Sequence, residues 1–358
     1  MARKAMIAMS GGVDSSVAAY LARKAGFECV GVMMRLLDDG DAGPGSGRTC
    51  CSLEDAEDAR AAAYRLGMPF YVFNFVDSFR ETVMEPFAAA YERGETPNPC
   101  LNCNRFLKFG RLLDRARELD CGLLVTGHYV RAERRDGRYV LRRAADAAKD
   151  QSYFLYSLTQ EQLSRVWFPL GGMRKQETRR LAASLGLAAA RKRDSEDVCF
   201  APDGDYAAAI ERCTGRAMPE GNFVDGEGRV LGRHRGLVRY TVGQRRGLGL
   251  SLPEPMYVRA IRPEDNTVVL GREEELWSRE LDAADCRWIS GEPPAAGTRM
   301  TAKLRSCQRE QSAVVTPADG GAHVAFDEPQ RAAAPGQAVV FYDGDAVLGG
   351  GIIRRGLH

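Results

Sequence analysis

Residues 10–16 read Ser-Gly-Gly-Val-Asp-Ser-Ser, between the apolar run Ala5 to Met9 and the string Val-Ala-Ala-Tyr-Leu. That order predicts a strand, a glycine turn and a helix start. Gly11 and Gly12 let the main chain come close to a ligand, and Ser15 and Ser16 set hydroxyls beside helix-start N–H groups. Such a corner binds phosphate through oriented amides and the helix dipole. The Gly-Lys-Ser/Thr ending of a Walker loop is missing, and with it the lysine that meets the γ-phosphate. A glycine-rich turn with no ligand is the plainer reading of the same string. A second group of residues is nucleophilic. Residues 96–104 read Thr-Pro-Asn-Pro-Cys-Leu-Asn-Cys-Asn, and Cys199 stands in Asp-Ser-Glu-Asp-Val-Cys-Phe. Pro97 and Pro99 hold the chain extended, so a helix is expected to begin after them, with Cys103 in or near its first turn, where the dipole favours thiolate. Two partly buried thiols and a turn are the alternative, since Cys-x-x-Cys also arises by chance.

The elements that must position these groups alternate. Strands are expected over 4–9, 28–34, 70–75 and 123–126. Helices are expected from the loop to Gly26, from a capping box at Ser52-Leu-Glu-Asp55 to Leu66, from a cap at Ser78-Phe-Arg-Glu81 to near Gly94, and over 103–119. This predicts an α/β fold with a doubly wound parallel sheet, whose ligand lies beyond the carboxyl ends of its strands. The loop, Met34 and Gly127-His128 all fall at such ends. Residues 38–48 are Gly/Asp-rich and read as a loop. Beyond residue 204 the texture changes: 205–213 looks helical, 222–230 and 232–250 look strand-like. From about 280, apolar runs at 300–304, 313–315, 323–326 and 338–342 with turns at 319–321 and 343–345 suit a compact β-barrel. The expected division is 1–204 for the nucleotide-binding catalytic domain, 205–279 for a small β-rich module and 280–358 for the barrel.

Composition sets bounds. The chain has 358 residues, 44% of them hydrophobic, enough for two or three cores. No run approaches the roughly 18 apolar residues of a membrane span, and Met-Ala-Arg-Lys leads straight into the first strand, leaving no room for a signal peptide. A soluble cytoplasmic protein is therefore expected. Its ten cysteines then read as buried, catalytic or metal-binding rather than as structural disulfides. The net charge of +2 says little, but residues 229–246 hold Arg229, Arg233, Arg235, Arg239, Arg245 and Arg246 with no acid. That run is a solvated face or a polyanion-binding strip.

The loop string resembles the pyrophosphate-binding loop of the ATP pyrophosphatases, which split ATP into AMP and pyrophosphate to make a poor leaving group into a good one. Seven strings then follow in order: SGGVDSS, TPNPCLNCN, TGHY at 126–129, KDQSYFL at 149–155, DSEDVCF at 194–200, VGQRRGLG at 242–249 and PGQAVVFYDGDAVLGGG at 335–351. Together they resemble the tRNA-specific 2-thiouridylases over essentially the whole chain. The resemblance implies ATP, with Mg2+, bound by Ser10, Gly11, Gly12, Val13, Asp14, Ser15, Ser16, Val17 and Met34, with Gly127 backing the site by close main-chain approach. It implies adenylation of the 2-oxygen of the wobble uridine in tRNAs for Lys, Glu and Gln, with Asp14 required for the step. A persulfide on Cys199 would displace AMP, and Cys103 would help release the sulfur and end in a disulfide with Cys199. Asn98, Pro99 and Cys100 would contact the target base, and Lys149, Asp150, Gln151, Arg305 and Ser306 would contact tRNA. A cysteine desulfurase or a persulfide relay protein would supply the sulfur.

Two departures stand out. Cys100 occupies the place of an aspartate common after Asn-Pro, and Arg305-Ser306 replaces a common Arg-Tyr, losing a ring on which a base could stack. Cys100, Cys103 and Cys199 could also serve as three ligands of an iron–sulfur cluster with one open iron. Cys50 and Cys51 could accept sulfur, bind metal or simply be buried; Cys29, Cys121, Cys213, Cys286 and Cys307 read as core. The competing classes are another adenylating enzyme with the same loop, which would need neither Cys103 nor Cys199, and a non-catalytic tRNA-binding protein.

Overall fold

The structure is a computed structural model, described here for residues 3–38, 53–192, 198–201 and 204–357 (side chains of 191 and 355–357 excepted). The cap at Ser52, Cys50, Cys51 and residues 39–48 of the glycine-rich stretch lie outside the described residues.

Seven strands lie in the N-terminal part: β1 (Lys4–Ala8), β2 (Glu28–Arg35), β3 (Phe70–Asn74), β4 (Leu123–Val125), β5 (Arg131–Arg135), β6 (Arg138–Arg142) and β7 (Val166–Trp167). Five of them form a parallel sheet in the order β3-β2-β1-β4-β7. Ala5, Met6 and Ile7 of central β1 are fully buried, as both faces of a parallel sheet are covered. Alternation along the strand sends Met6 to one core and Ala5 and Ile7 to the other. The second core takes in α1 (Val13–Lys24), α2 (Leu53–Arg65) and the helix Lys175–Ser184. The first takes in two long helices, 76–92 and 99–118.

Both long helices start elsewhere than the sequence suggests. The first begins at Val76, whose N–H donates to Asn74 Oδ1 (3.1 Å), not at Ser78. It runs through a π turn, Arg80–Met84, just before Pro86. Proline cannot donate to the carbonyl four residues back, and the Asn102 side-chain amide donates to that carbonyl, Thr82 O, at 3.2 Å. The second helix begins at Pro99 rather than after it. Asn98 caps it by accepting from Cys100 N (3.1 Å), and a proline at the first helical position loses nothing because its N–H would be unpaired there. Cys100 therefore holds the first-turn place expected for Cys103, which lies a turn further on, opening the π-helical stretch Cys103–Arg111.

After the helix Tyr206–Thr214 comes a four-stranded sheet of β8 (Gly221–Val224), β9 (Val230–His234), β10 (Tyr257–Arg262) and β11 (Thr267–Gly271), in the order β10-β11-β8-β9. The expected strand 222–230 is divided by a turn in which Asp225 Oδ1 accepts from Glu227 N and Arg229 N. The expected strand 232–250 ends at His234. Gly236, Gly243, Gly247 and Gly249 have φ of 100°, 90°, 78° and 71°, which no strand adopts, so most of that stretch is irregular. Strands β10 and β11 were not anticipated.

Six antiparallel strands follow: β12 (Trp277–Trp288), β13 (Thr298–Lys303), β14 (Gln311–Ala318), β15 (Gly321–Arg331), β16 (Ala338–Asp343) and β17 (Ala346–Leu357). Pairing of β12 with β17 closes them into a barrel around Leu281, Met300, Val315, Val324 and Phe341. The β5–β6 hairpin extends the barrel wall: Arg142 pairs with Ala346, and Leu141 with Val347. Nothing in the sequence pattern announced that crossing. Among the described residues no helix is long and apolar enough to cross a membrane.

Candidate active site

The loop after β1 has the form that phosphate binding requires. Gly12 is the N-cap of α1 with φ −86° and ψ 166°, and no side chain caps that end, so the helix-start amides are left to a ligand. The Ser15 and Ser16 hydroxyls donate back to Gly12 O (3.1 and 2.9 Å), and Ser15 Oγ accepts from Ser10 N (3.2 Å), which tightens the turn. The two glycines differ. Gly11 has φ +72°, and a Cβ there would come within 2.3 Å of the Asp55 carbonyl oxygen; at Gly12 the nearest atom would be Ser10 Oγ at 3.4 Å. Gly11→Ala is therefore expected to lower stability by about 2–4 kcal/mol, against less than about 1 kcal/mol for Gly12→Ala. Equal shifts in urea midpoint for the two variants would refute that distinction. Gly127 lies against the same helix start: a Cβ there would be 2.8 Å from Asp14 C and Ser15 N.

Asp14 is gripped by a cation that sequence reasoning missed. Lys175, buried at the start of its helix, places Nζ 2.8 and 2.7 Å from the two carboxylate oxygens. The Tyr129 hydroxyl lies 2.9 Å from Asp14 Oδ1 and 2.9 Å from Thr178 Oγ1. A lysine in a first helical turn opposes the dipole, and that is the one sequence signal that could have marked it. His128 packs between Phe109 and Phe168, with Nδ1 2.8 Å from Thr126 Oγ1. Burial, with Lys108 nearby, holds its pKa well below the usual histidine range, so it stays neutral in the core.

Cys103 and Cys199 are both half-buried against the first core, and Met34 packs there too. The helix 76–92 holds both cysteine segments. Asn102 bonds to Thr82 O, and Phe200 is buried edge-on to Phe79 (5.9 Å) and Phe87 (5.1 Å). Cys100 is exposed. Among the described residues no three His, Cys, Asp or Glu side chains are grouped to hold a metal ion. Burial pushes the thiols of Cys29 to about 11 and Cys286 to about 12, and raises that of Cys121. Cys213 is half-buried, whereas Cys307 is exposed on the barrel rather than in a core.

The segments expected to meet the substrate are fastened to one another. Asn98 lies two residues after Thr96, whose N–H donates to Pro335 O (2.7 Å) and whose carbonyl accepts from Gln337 Nε2 (2.6 Å), so the barrel braces the chain leading into Asn98-Pro99-Cys100. Gln151 Oε1 accepts from Tyr129 N (2.9 Å), and Asp150 accepts from Ala144 N (3.0 Å) and Ser152 Oγ (2.7 Å). Those two side chains therefore hold the segment in place, and Lys149 beside them is half-buried. A cavity of about 650 Å3 opens between this segment and the barrel, lined by Arg143, Asp150, Phe154, Lys303, Ser306 and Arg309; Arg305 is next to it in sequence and half-buried. The arginine run acquires acids from neighbouring segments: Arg229 pairs with Asp225 (2.7 Å), Arg233 with Glu220 (3.8 Å) and Arg239 with Asp205 (3.5 Å). Arg235, Arg245 and Arg246 remain as exposed cations.

Residues 3–203 match the family model described as the tRNA methyl transferase HUP domain, 210–272 its PRC-barrel domain, and 278–353 the aminomethyltransferase beta-barrel domain. Relatives align along nearly the whole chain. The tRNA-specific 2-thiouridylase MnmA of Moorella thermoacetica is 50% identical over 354 residues, covering 98% of this chain and 99% of that one. The enzyme of the same name from Acetivibrio thermocellus is 47% identical over 356 residues, at 98% and 99% coverage. MnmA 1 of Caldanaerobacter subterraneus subsp. tengcongensis is 46% identical over 356 residues, at 98% of each. The domain descriptions carry a methyltransferase name and the full-length relatives a thiouridylase one; agreement of nearly half of all residues across all three sheets decides between them. This chain belongs to the tRNA-specific 2-thiouridylase family.

Proposed function

We propose that this protein binds ATP at residues 10–17 and Met34, adenylates the 2-oxygen of the wobble uridine in tRNAs for Lys, Glu and Gln, and replaces that oxygen by sulfur carried on Cys199. One observation above the others supports this: an uncapped helix start and two half-buried cysteines belong to one parallel-sheet unit, and the segments of both cysteines pack against the same helix, 76–92.

In the first step the uridine oxygen attacks the α-phosphorus and pyrophosphate leaves. The loop amides and Lys175 face the charge that builds on the leaving group, and electrostatic stabilisation of that kind is often the largest catalytic contribution. Mg2+ arriving with the triphosphate would screen its charge; the Asp14 carboxylate and the serine hydroxyls are the hard oxygen donors such an ion takes. In the second step the terminal sulfur of the Cys199 persulfide attacks C2 and AMP leaves. The Cys103 thiolate then attacks Cys199 Sγ and breaks the S–S bond. The outer sulfur stays on C2 as the thiocarbonyl, and a Cys103–Cys199 disulfide forms, which a thiol reductant returns to two thiols. A persulfide is a good nucleophile near neutral pH and avoids free sulfide.

Asn98, Pro99 and Cys100 would face the target base, which a single-stranded anticodon loop presents without the opening of a helix. Lys149, Arg305, Ser306 and the exposed arginines of the middle module would take tRNA phosphates. The sulfur would come from a cysteine desulfurase or a persulfide relay protein in the cytoplasm. The test is mercury-gel mobility of an unmodified lysine tRNA after incubation with chelator-treated protein, ATP, Mg2+ and a persulfide donor. A retarded band is expected; no band under these conditions or after anaerobic iron reconstitution overturns the assignment.

A further inference from the structure

Between the helix Lys175–Ser184 and Cys199 the described residues include a 3-10 turn, Ala188–Arg191. Leu187 and Ala189 are buried in the core that holds α1 and α2. Phe200, directly after Cys199, is buried in the core on the other face of the sheet. Leu187 and Ala189 therefore lie on one face of the sheet and Phe200 on the other, with Cys199 beside Phe200. Two grips hold the chain at Ala190 and Lys192, seven residues before Cys199. Arg179 Nη1 donates to Lys192 O (2.9 Å) and Ala190 O (3.3 Å), tying the turn to the helix that begins with Lys175. The Lys192 ammonium reaches α2, bonding to Asp55 Oδ1 (2.9 Å) and to Asp58. Asp55 is also the residue whose carbonyl oxygen lies against Gly11. One residue therefore meets the nucleotide loop with its main chain and the approach to Cys199 with its side chain.

We propose that Lys192 is a positioning residue for sulfur transfer: held between Asp55 and Asp58, it sets the placement of Cys199 relative to a base activated at the nucleotide loop. The inference rests on Cys199 as the sulfur carrier. An isolated pair at this degree of exposure adds little to stability, so the consequence lies in geometry, where a displacement of about 1 Å costs up to about 100-fold in rate.

The experiment uses the full chain with Cys199 preloaded as the persulfide. It follows two readouts in a single turnover: pyrophosphate release and thiolated lysine tRNA. Lys192→Met should slow thiolation by about 30-fold while pyrophosphate release and the KM for tRNA stay within about twofold. Lys192→Arg, which keeps the charge, should recover most of the thiolation rate. Asp58→Asn, which leaves the Asp55 contact and the loop untouched, should show a smaller selective loss of about fivefold, and it serves if Lys192→Met is poorly folded. Thiolation at the wild-type rate in both Lys192→Met and Asp58→Asn, or equal slowing of both steps, overturns the role of Lys192. Absence of thiolation by the wild-type protein overturns the function on which it rests, so the two failures are told apart.

Discussion

Alanine at Cys199 is expected to leave tRNA-dependent pyrophosphate release within about twofold of the wild type and to lower 2-thiouridine formation by at least about 1,000-fold. The two halves of the prediction come from different places in the fold. On the proposed reading, adenylation uses the amides of α1 and the ion pair of Asp14 with Lys175, whereas sulfur transfer uses the thiol of Cys199. Sulfur transfer, on the same reading, depends on the Cys199 thiol, because alanine has no sulfur atom on which a sulfane sulfur can be carried. Removing one sulfur atom from a half-buried position costs about 1 kcal/mol in packing, too little to unfold a core of this size, so loss of product will report chemistry rather than collapse. Thiolated tRNA from Cys199→Ala supplied with a persulfide would remove Cys199 from the mechanism.

Methionine at Lys175 should do the reverse. It keeps the length of the stem and its packing and deletes the charge. Pyrophosphate release should fall by about 100- to 1,000-fold, the range seen when one preorganised charge-stabilising donor is lost. Binding of tRNA, read by filter retention, should change little. Asp14 keeps the Tyr129 hydroxyl 2.9 Å away, and its carboxylate is about one-third exposed, so solvent limits the penalty of leaving it without its cation. Normal pyrophosphate release from Lys175→Met would mean that the loop amides suffice and that the lysine is a structural partner of Asp14.

The parallel sheet was legible because its order is local: each strand is a short apolar run followed by a helix with recognisable ends. The nucleotide loop was legible because glycines and hydroxyl residues at a strand end have few other uses. Lys175 was not, since its role depends on a helix start packing 161 positions away from Asp14. The start of the helix at Pro99 is hidden in the sequence because proline breaks a helix in its interior but suits its first position. The middle module was misread for a physical reason as well. Its apolar residues follow strand spacing, but left-handed glycines interrupt them, and β10 and β11 draw their partners from distant segments. The arginine run looked unbalanced only along the chain; in space, Asp225, Glu220 and Asp205 answer three of its six charges.

The hairpin of β5 and β6 has a consequence for how the chain matures. It leaves the ribosome about 200 residues ahead of β17, the strand it must join, and at roughly 5–20 residues per second that is about 10–40 s of synthesis. Throughout that interval the nascent chain carries an open strand edge, with Leu141 fully buried only in the finished molecule. Glu133 and Arg142 pair across the hairpin, and charges of this kind are a usual guard against edge-to-edge association. A chain cut off after the catalytic region would keep that edge bare for good. A chain ending there should therefore be more prone to aggregate than one that carries the barrel.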